Sequence, residues 1–183
     1  MKVIETAIPG VKVIEPTLFA DARGTFLESW RRERYAEAGL PREFAQDNLS
    51  RSTQRVLRGL HLQHPNGQGK LITVLSGRIL DVAVDVRRGS PTFRRHVAIE
   101  LAEYRQLWVP SGLAHGFYVL SATADIAYKC DTPYSPQDEI AIYWNDPSLG
   151  IAWPDPEPIL SPRDAAARLL DEIADLPAYG IKN

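Results

Sequence analysis

An all-β jelly roll is the fold class that the sequence predicts, on three observations. Short apolar runs rich in Val, Ile, Leu and aromatic residues fill most of the chain, turn residues punctuate them, and helical patterning is confined to residues 29–39 and to the segment after Ser161. In order, the strand candidates are 11–15, 25–29, 56–63, 70–76, 78–86, 96–101, 105–109, 116–120, 126–129 and 140–144. Runs 70–76 and 78–86 flank Ser76-Gly77, and the second alternates Leu80, Val82, Val84 and Val86 against Ile79, Asp81, Ala83 and Asp85, which predicts a hairpin. Roughly ten strands in one domain must hide their edges, and a jelly roll does so at this size. The Pro-rich stretch 153–162 predicts a surface linker after a jelly-roll core of about residues 1–150. Beyond it, Ser161 as N-cap, Pro162 at the first helical position and Asp164 at the third open an Ala/Leu-rich helix ending near residue 175. The expectation is one domain over 1–183 with short peripheral helices.

Length and charge narrow the function classes. A chain of 183 residues with 44% hydrophobic and 24% charged residues has the composition of one packed globular core. Its 21 Lys and Arg against 23 Asp and Glu leave a net charge of −2, so a general nucleic-acid binder is not expected and any anionic ligand must be met locally. The longest uncharged stretch, 106–124, contains Pro110, Gly112, His115, Gly116 and two serines, so no membrane span is expected. The N-terminus lacks the apolar stretch of a secretory signal, and Cys130 is the only cysteine. A reducing, cytoplasmic setting is therefore expected.

The chemistry concentrates in two segments. Gly59-Leu60-His61-Leu62-Gln63, followed by Lys70 and Gly77, resembles the first motif of cupin barrels, and Pro110-Ser111-Gly112-Leu113-Ala114-His115 resembles the second. The metal set of such barrels takes two histidines one residue apart, a glutamate and a later histidine, whereas this chain has Gln63 for the second histidine and Lys70 for the glutamate. An ammonium at a ligand position repels a divalent cation, and His64 on a strand would face away from His61, so no metal is expected. What remains is a base, His61, a cation, Lys70, a second imidazole, His115, and a phenol, Tyr128. These are parts for removing a proton beside a carbonyl and stabilising the enolate.

Arg58-Gly59-Leu60-His61 with Lys70, Ala114-His115-Gly116-Phe117, Tyr128-Lys129 and Ser161-Pro162-Arg163-Asp164 together resemble the dTDP-4-dehydrorhamnose 3,5-epimerase family of the cupin superfamily. Asp21-Ala22-Arg23-Gly24-Thr25-Phe26-Leu27-Glu28, Gln46-Asp47-Asn48-Leu49-Ser50 and Trp144-Asn145-Asp146-Pro147 extend the likeness over nearly the whole chain. The resemblance implies a cofactor-independent epimerase that inverts C3 and C5 of dTDP-4-dehydro-6-deoxy-D-glucose through enolates, on the way to dTDP-L-rhamnose. By motif it implies His61 as base oriented by Asp164, Tyr128 as acid on the opposite face, and Lys70 as enolate stabiliser. It further implies Arg23, Glu28, Gln46, Asn48, Arg58, His115, Glu139 and Arg163 around the sugar nucleotide, and a homodimer exchanging N-terminal strands. Leu62 replaces a common tyrosine, the 64–69 loop is about one residue short, and Arg163 replaces the usual lysine.

Each assignment has a plainer alternative. His61 could be a core histidine, Asp164 an ordinary acid in a first helical turn, and Tyr134 the acid in place of Tyr128. Lys70 could pair with Asp81 or Asp85 across the expected hairpin. Phe19 and Phe26 could be core or stack on ligand. Arg58 and His61 would face opposite sides of a regular strand unless Gly59 marks a bulge. The competing activities are a single-carbon epimerase or ketoisomerase of a related dTDP-4-keto sugar, a metal-dependent cupin oxygenase and a non-catalytic sugar-nucleotide binder.

Overall fold

The computed structural model describes residues 1–180. Its strands are β1 (Lys2–Glu5), β2 (Lys12–Glu15), β3 (Leu18–Asp21), β4 (Gly24–Leu27), β5 (Gln46–Thr53), β6 (Leu57–Gln63) and β7 (Lys70–Ser76). They continue as β8 (Arg78–Asp85), β9 (His96–Ala102), β10 (Gln106–Val109), β11 (Leu113–Val119), β12 (Thr123–Cys130) and β13 (Glu139–Ala141), with helices α1 (Arg32–Glu37) and α2 (Pro162–Ala165). Two antiparallel sheets carry the fold, one of six strands in the order β1-β2-β10-β7-β12-β5 and one of five in the order β13-β6-β11-β8-β9. They pack as the jelly roll that the strand pattern predicts.

The main core lies between the sheets. Ile72, Val74, Leu107, Ala124 and Ile126 from the six-stranded sheet meet Ile79, Ala83, Leu101, Phe117 and Val119 from the other, nearly all solvent-free. A second cluster covers the outer face of the five-stranded sheet, where Leu149, Ile151, Leu170, Ile173 and Leu176 from the C-terminal region pack on Leu60, Leu62, Val82 and Val84. On the outer face of the six-stranded sheet, α1 buries Tyr35 against Ile14, Leu71 and Trp108. The Tyr35 hydroxyl donates to Gln106 Oε1 at 2.8 Å, so the buried phenol keeps a partner.

Three expectations are corrected. Strands β7 and β8 do not form a hairpin: β7 lies between β10 and β12, and β8 lies between β11 and β9 in the other sheet. The chain crosses between sheets at Gly77, where φ is +85° and a Cβ would come within 2.2 Å of Thr123 O. The alternation in β8 reflects burial on both faces, with Ile79 and Ala83 in the main core and Val82, Val84 and Val86 beneath the C-terminal coat.

The helix after Ser161 stops at Ala165, because the following residues are drawn into tertiary pairing. Tyr143 N–H donates to Arg168 O at 2.7 Å, Leu170 N–H donates to Asp146 Oδ2 at 2.7 Å, and Leu170 and Ile173 join the coat. Stretch 153–162 is not a free linker. Trp153 Nε1 donates to Trp144 O at 2.8 Å, and Leu57 N–H donates to Ile159 O at 3.0 Å in a parallel bridge of Val56 with Ile159. The strand pattern also missed β1, β3 and β5. Strand β5 reads QDNLSRST and forms the outer edge of its sheet, so no apolar alternation marks it. Among the described residues, strands β3 and β4 pair only with each other, Phe19 opposite Phe26, with those two rings 60% and 72% exposed.

Candidate active site

A cavity of about 420 Å³ opens between the sheets, and a second of about 300 Å³ adjoins it, sharing His61, Lys70, Tyr128 and Arg163. His61 and Arg58 come from β6, Lys70 from β7, His115 from β11, Tyr128 from β12, and Ser161, Arg163 and Asp164 from the C-terminal segment. Gly59 explains how Arg58 and His61 both reach one cavity. Between β6 and β11 the register runs His61–His115 and then Arg58–Phe117, an irregularity centred on Gly59. Gly59 has φ of +121°, and a Cβ there would lie 2.6 Å from Gly116 Cα. The bulge needs glycine for both conformation and close approach, as the spacing suggested.

Two histidine–carboxylate pairs face the cavity. His61 Nε2 lies 2.6 Å from Asp164 Oδ1, and His61 Nδ1 lies 3.8 Å from Glu139 Oε1. Asp164 stands at the third position of α2, its N–H donating to the Ser161 hydroxyl at 3.1 Å, and is 3% exposed. Burial pushes its carboxyl up, but hydrogen bonds from His61, Ser161 and the Gly59 backbone outweigh it and hold the group below the usual carboxylate range. Ionised Asp164 accepts, so Nε2 keeps its hydrogen and Nδ1 carries the free lone pair. His115 Nε2 lies 2.8 Å from Asp81 Oδ1, and Asp81 is fully buried. Asp81 therefore belongs to His115 rather than to Lys70, and Asp85 is taken by Arg87, Ser90 and Thr92.

Lys70 sits opposite Cys130 in the β7–β12 register, and its ammonium makes no hydrogen bond or salt bridge among the described residues. Burial lowers its ammonium pKa, against opposing attraction from Cys130, Glu139, Asp131 and Asp81. Burial likewise raises the Tyr128 phenol, so it stays protonated, and pushes the Cys130 thiol up to about 11. At the cavity mouth, Tyr134 Oη and Arg163 Nη1 both donate to Glu139 Oε2. Arg58 Nε donates to Ser52 Oγ at 3.1 Å, and Gln46 Nε2 donates to Asn48 Oδ1 at 2.9 Å on β5.

Of the residues singled out from sequence, all but two line these cavities. Arg23 sits at the β3–β4 turn, ion-paired to Asp21 at 2.5 Å with its side chain 90% exposed, and Glu28 pairs with Arg34 at 3.0 Å. Within one chain neither reaches the cavity. Residues that the sequence reading missed are Asp81, whose partner depends on register, and Ile159 and Leu160, whose wall position depends on how the C-terminal segment docks. Gln63, at a cupin ligand position, instead donates to Asn66 O at 3.1 Å and accepts from Ser135 N–H at 3.0 Å. With Gln63 so engaged and an ammonium on Lys70, the cupin ligand positions do not fit a divalent cation. His64 turns to Asp175, 3.3 Å away.

A family model described as dTDP-4-dehydrorhamnose 3,5-epimerase matches residues 5–172. A protein of that name from Salmonella typhimurium is 49% identical over 177 residues, covering 94% of this chain and 97% of the relative. Another from Neisseria gonorrhoeae is 47% identical over 171 residues; the match covers 92% of this chain, which spans about half of that relative's length, 52%. Among solved structures, a dTDP-6-deoxy-D-glucose-3,5-epimerase of Legionella pneumophila Philadelphia 1 in complex with dTDP-4-keto-L-rhamnose superposes with a TM-score of 0.94. It is 50% identical, covering 98% of this chain and 99% of that one. Likeness of this extent, in sequence and in fold, means that the chain belongs to the dTDP-4-dehydrorhamnose 3,5-epimerase family.

Proposed function

We propose that this isomerase inverts C3 and C5 of dTDP-4-dehydro-6-deoxy-D-glucose, giving dTDP-4-dehydro-L-rhamnose, with the whole chain acting as one epimerase unit. The observation that carries the reading is the placement of base and acid on facing sheets. His61 stands on the five-stranded sheet and Tyr128 on the six-stranded sheet, with one cavity between them. Inversion needs a proton removed from one face of a carbon and another delivered to the opposite face.

In this reading His61 Nδ1 takes the proton next to the C4 ketone, while the Asp164 carboxylate holds the ring and offsets the imidazolium charge. The Lys70 ammonium stabilises the enolate oxygen, and His115 assists from the same wall. Tyr128 protonates the opposite face of the carbon. One ketone acidifies C3 and C5 alike, so the same groups serve both inversions in turn. Arg58, Gln46, Asn48 and Arg163 hold the nucleotide diphosphate and sugar, the guanidiniums as forked donors to phosphate.

The active form in this reading is a homodimer. The unpaired β3–β4 hairpin, bearing exposed Leu18, Phe19 and Phe26, reaches a second copy and carries Arg23 to that copy's cavity. A buried, protonated Cys130 suits a reducing cytoplasm.

Incubation with the substrate in heavy water tests the proposal. Deuterium is expected at both C3 and C5, and His61→Asn should abolish exchange while leaving binding of dTDP intact. Exchange confined to one carbon would replace the proposal with a single-carbon epimerase, and binding without exchange would make the chain a binder.

A further inference from the structure

Each inversion leaves an unfinished account of protons. A substrate C–H bond has broken with its electron pair left in the enolate and its proton on His61 Nδ1, and the Tyr128 O–H has broken to supply the new C–H. The cavity then holds an imidazolium and a phenolate. Before the second carbon can react, one proton must leave His61 and one must reach Tyr128. We propose that Glu139 is the outlet for the His61 proton, an inference that rests on the epimerase reading above.

Register and contacts carry it. Ala141 of β13 pairs with His61 of β6, which makes Glu139, two residues earlier, a diagonal neighbour on the same sheet face. Its Oε1 lies 3.8 Å from Nδ1, the nitrogen that Asp164 does not occupy. The two carboxylates beside the imidazole differ in their surroundings. Asp164 is 4% exposed at its side chain and is held by His61, the Ser161 hydroxyl and the Gly59 backbone. Glu139 is held through its other oxygen by Tyr134 and Arg163, which are themselves about half exposed at the mouth. Of the two carboxylates Glu139 is the more exposed, 10% against 4% at the side chain, and its partners Tyr134 and Arg163 stand at the mouth, so Asp164 orients the ring while Glu139 leads toward solvent.

The 3.8 Å gap is longer than a hydrogen bond, so neutral His61 keeps its lone pair for the substrate. Once the imidazole is charged, Coulomb attraction closes the gap. The Nδ1–H bond then breaks as a Glu139 Oε1–H bond forms, and Glu139 passes the proton to water at the mouth. Tyr128 takes a proton from water in exchange, so no net charge accumulates. The groups facing Glu139 are His61, Lys70, Arg163 and Tyr134. A carboxylate here also opposes a diphosphate, which argues against Glu139 as a phosphate contact.

Glu139→Gln keeps the shape and the acceptor for Arg163 but cannot carry a proton. In dilute buffer its kcat for the double inversion should fall roughly 10²-fold with KM within about twofold of wild type. Added acetate or imidazole should restore most of the loss, while wild type ignores the buffer. Glu139→Asp, shorter but still titratable, should lose less than Glu139→Gln. Binding of dTDP by both variants, measured calorimetrically, should match wild type, which separates relay from folding. A raised KM with kcat unchanged, or a kcat loss that buffer does not rescue, would overturn the outlet. Wild-type protein that exchanges neither C3 nor C5 hydrogen would instead overturn the epimerase reading itself.

Discussion

Lys70 is a partly buried cation whose ammonium has no hydrogen-bonding partner among the described residues, and its two consequences have opposite signs. Activity that depends on its ammonium is full below the lowered pKa and is lost as pH rises through that value, ahead of an ordinary lysine near ~10.4. Stability runs the other way. The unfolded chain holds this proton more tightly, so burial penalises the fold in full below the folded pKa, and the penalty lifts as pH climbs from the folded toward the unfolded value. Lys70→Met should therefore cost about 10²- to 10³-fold in kcat. The same change should stabilise the ligand-free protein by on the order of 1 kcal/mol. Steady-state kinetics and thermal unfolding check both halves, and a destabilised Lys70→Met would show that the lysine is structural.

Much of this scale was legible beforehand, because an ammonium where a cupin places a carboxylate is visible in the sequence. The Asp81–His115 pair was not, since it depends on β8 lying beside β11 rather than beside β7. Once the expected hairpin gives way, Asp81 faces His115 across a different strand pair.

At the scale of elements, the bulged pairing of β6 with β11 aims Arg58 and His61 into the same space. Gly59→Ala would place a methyl 2.6 Å from Gly116 Cα and 2.7 Å from His115 O, on a backbone at φ +121°. The substitution should destabilise the fold by about 2–3 kcal/mol, the scale of a strained backbone position. It should lower activity at least tenfold beyond what unfolding explains, measured at a temperature where the variant is fully folded. Unchanged turnover would mean that the two side chains reach the cavity without the bulge. The bulge was readable because the parity of residues 58 and 61 conflicts with a shared face and a glycine lies between them. Strand β5 was not, although it supplies Gln46 and Asn48. Its polar residues form an edge strand only because β12 offers a full ladder of partners, from Thr123–Thr53 to Cys130–Gln46. Helix α2 was readable at its start, where the cap is local, and unreadable at its end, where Asp146 and Tyr143 capture the backbone.

For the molecule as a whole, the β3–β4 hairpin leaves Leu18, Phe19 and Phe26 together uncovered within one chain. Exposed rings of this size, on strands that pair with nothing else, mark an interaction surface. In the dimer reading, replacing Phe19 and Phe26 together by Ser should convert a dimer to a monomer in sedimentation equilibrium. It should also reduce activity more than tenfold, because Arg23 leaves the neighbouring cavity. A variant that stays dimeric would move the interface elsewhere. The jelly roll itself was legible from the count and punctuation of strands. The outer coat was not: Leu149 and Ile151 lie in a stretch with no strand or helix period, and Leu170 and Ile173 lie where a helix was expected to continue.

The C-terminal coat has a consequence for biosynthesis. The barrel's strands end at Ala141, whereas the carboxylate that holds the His61 ring arrives only with Asp164. A chain cut short near residue 155 would contain His61 yet lack Ile159, Leu160, Arg163 and Asp164 of the cavity lining, and with them the cover that Leu170 and Ile173 give the five-stranded sheet. Such a fragment would have its imidazole without the carboxylate that holds it, so translational completeness decides when a newly made molecule becomes useful.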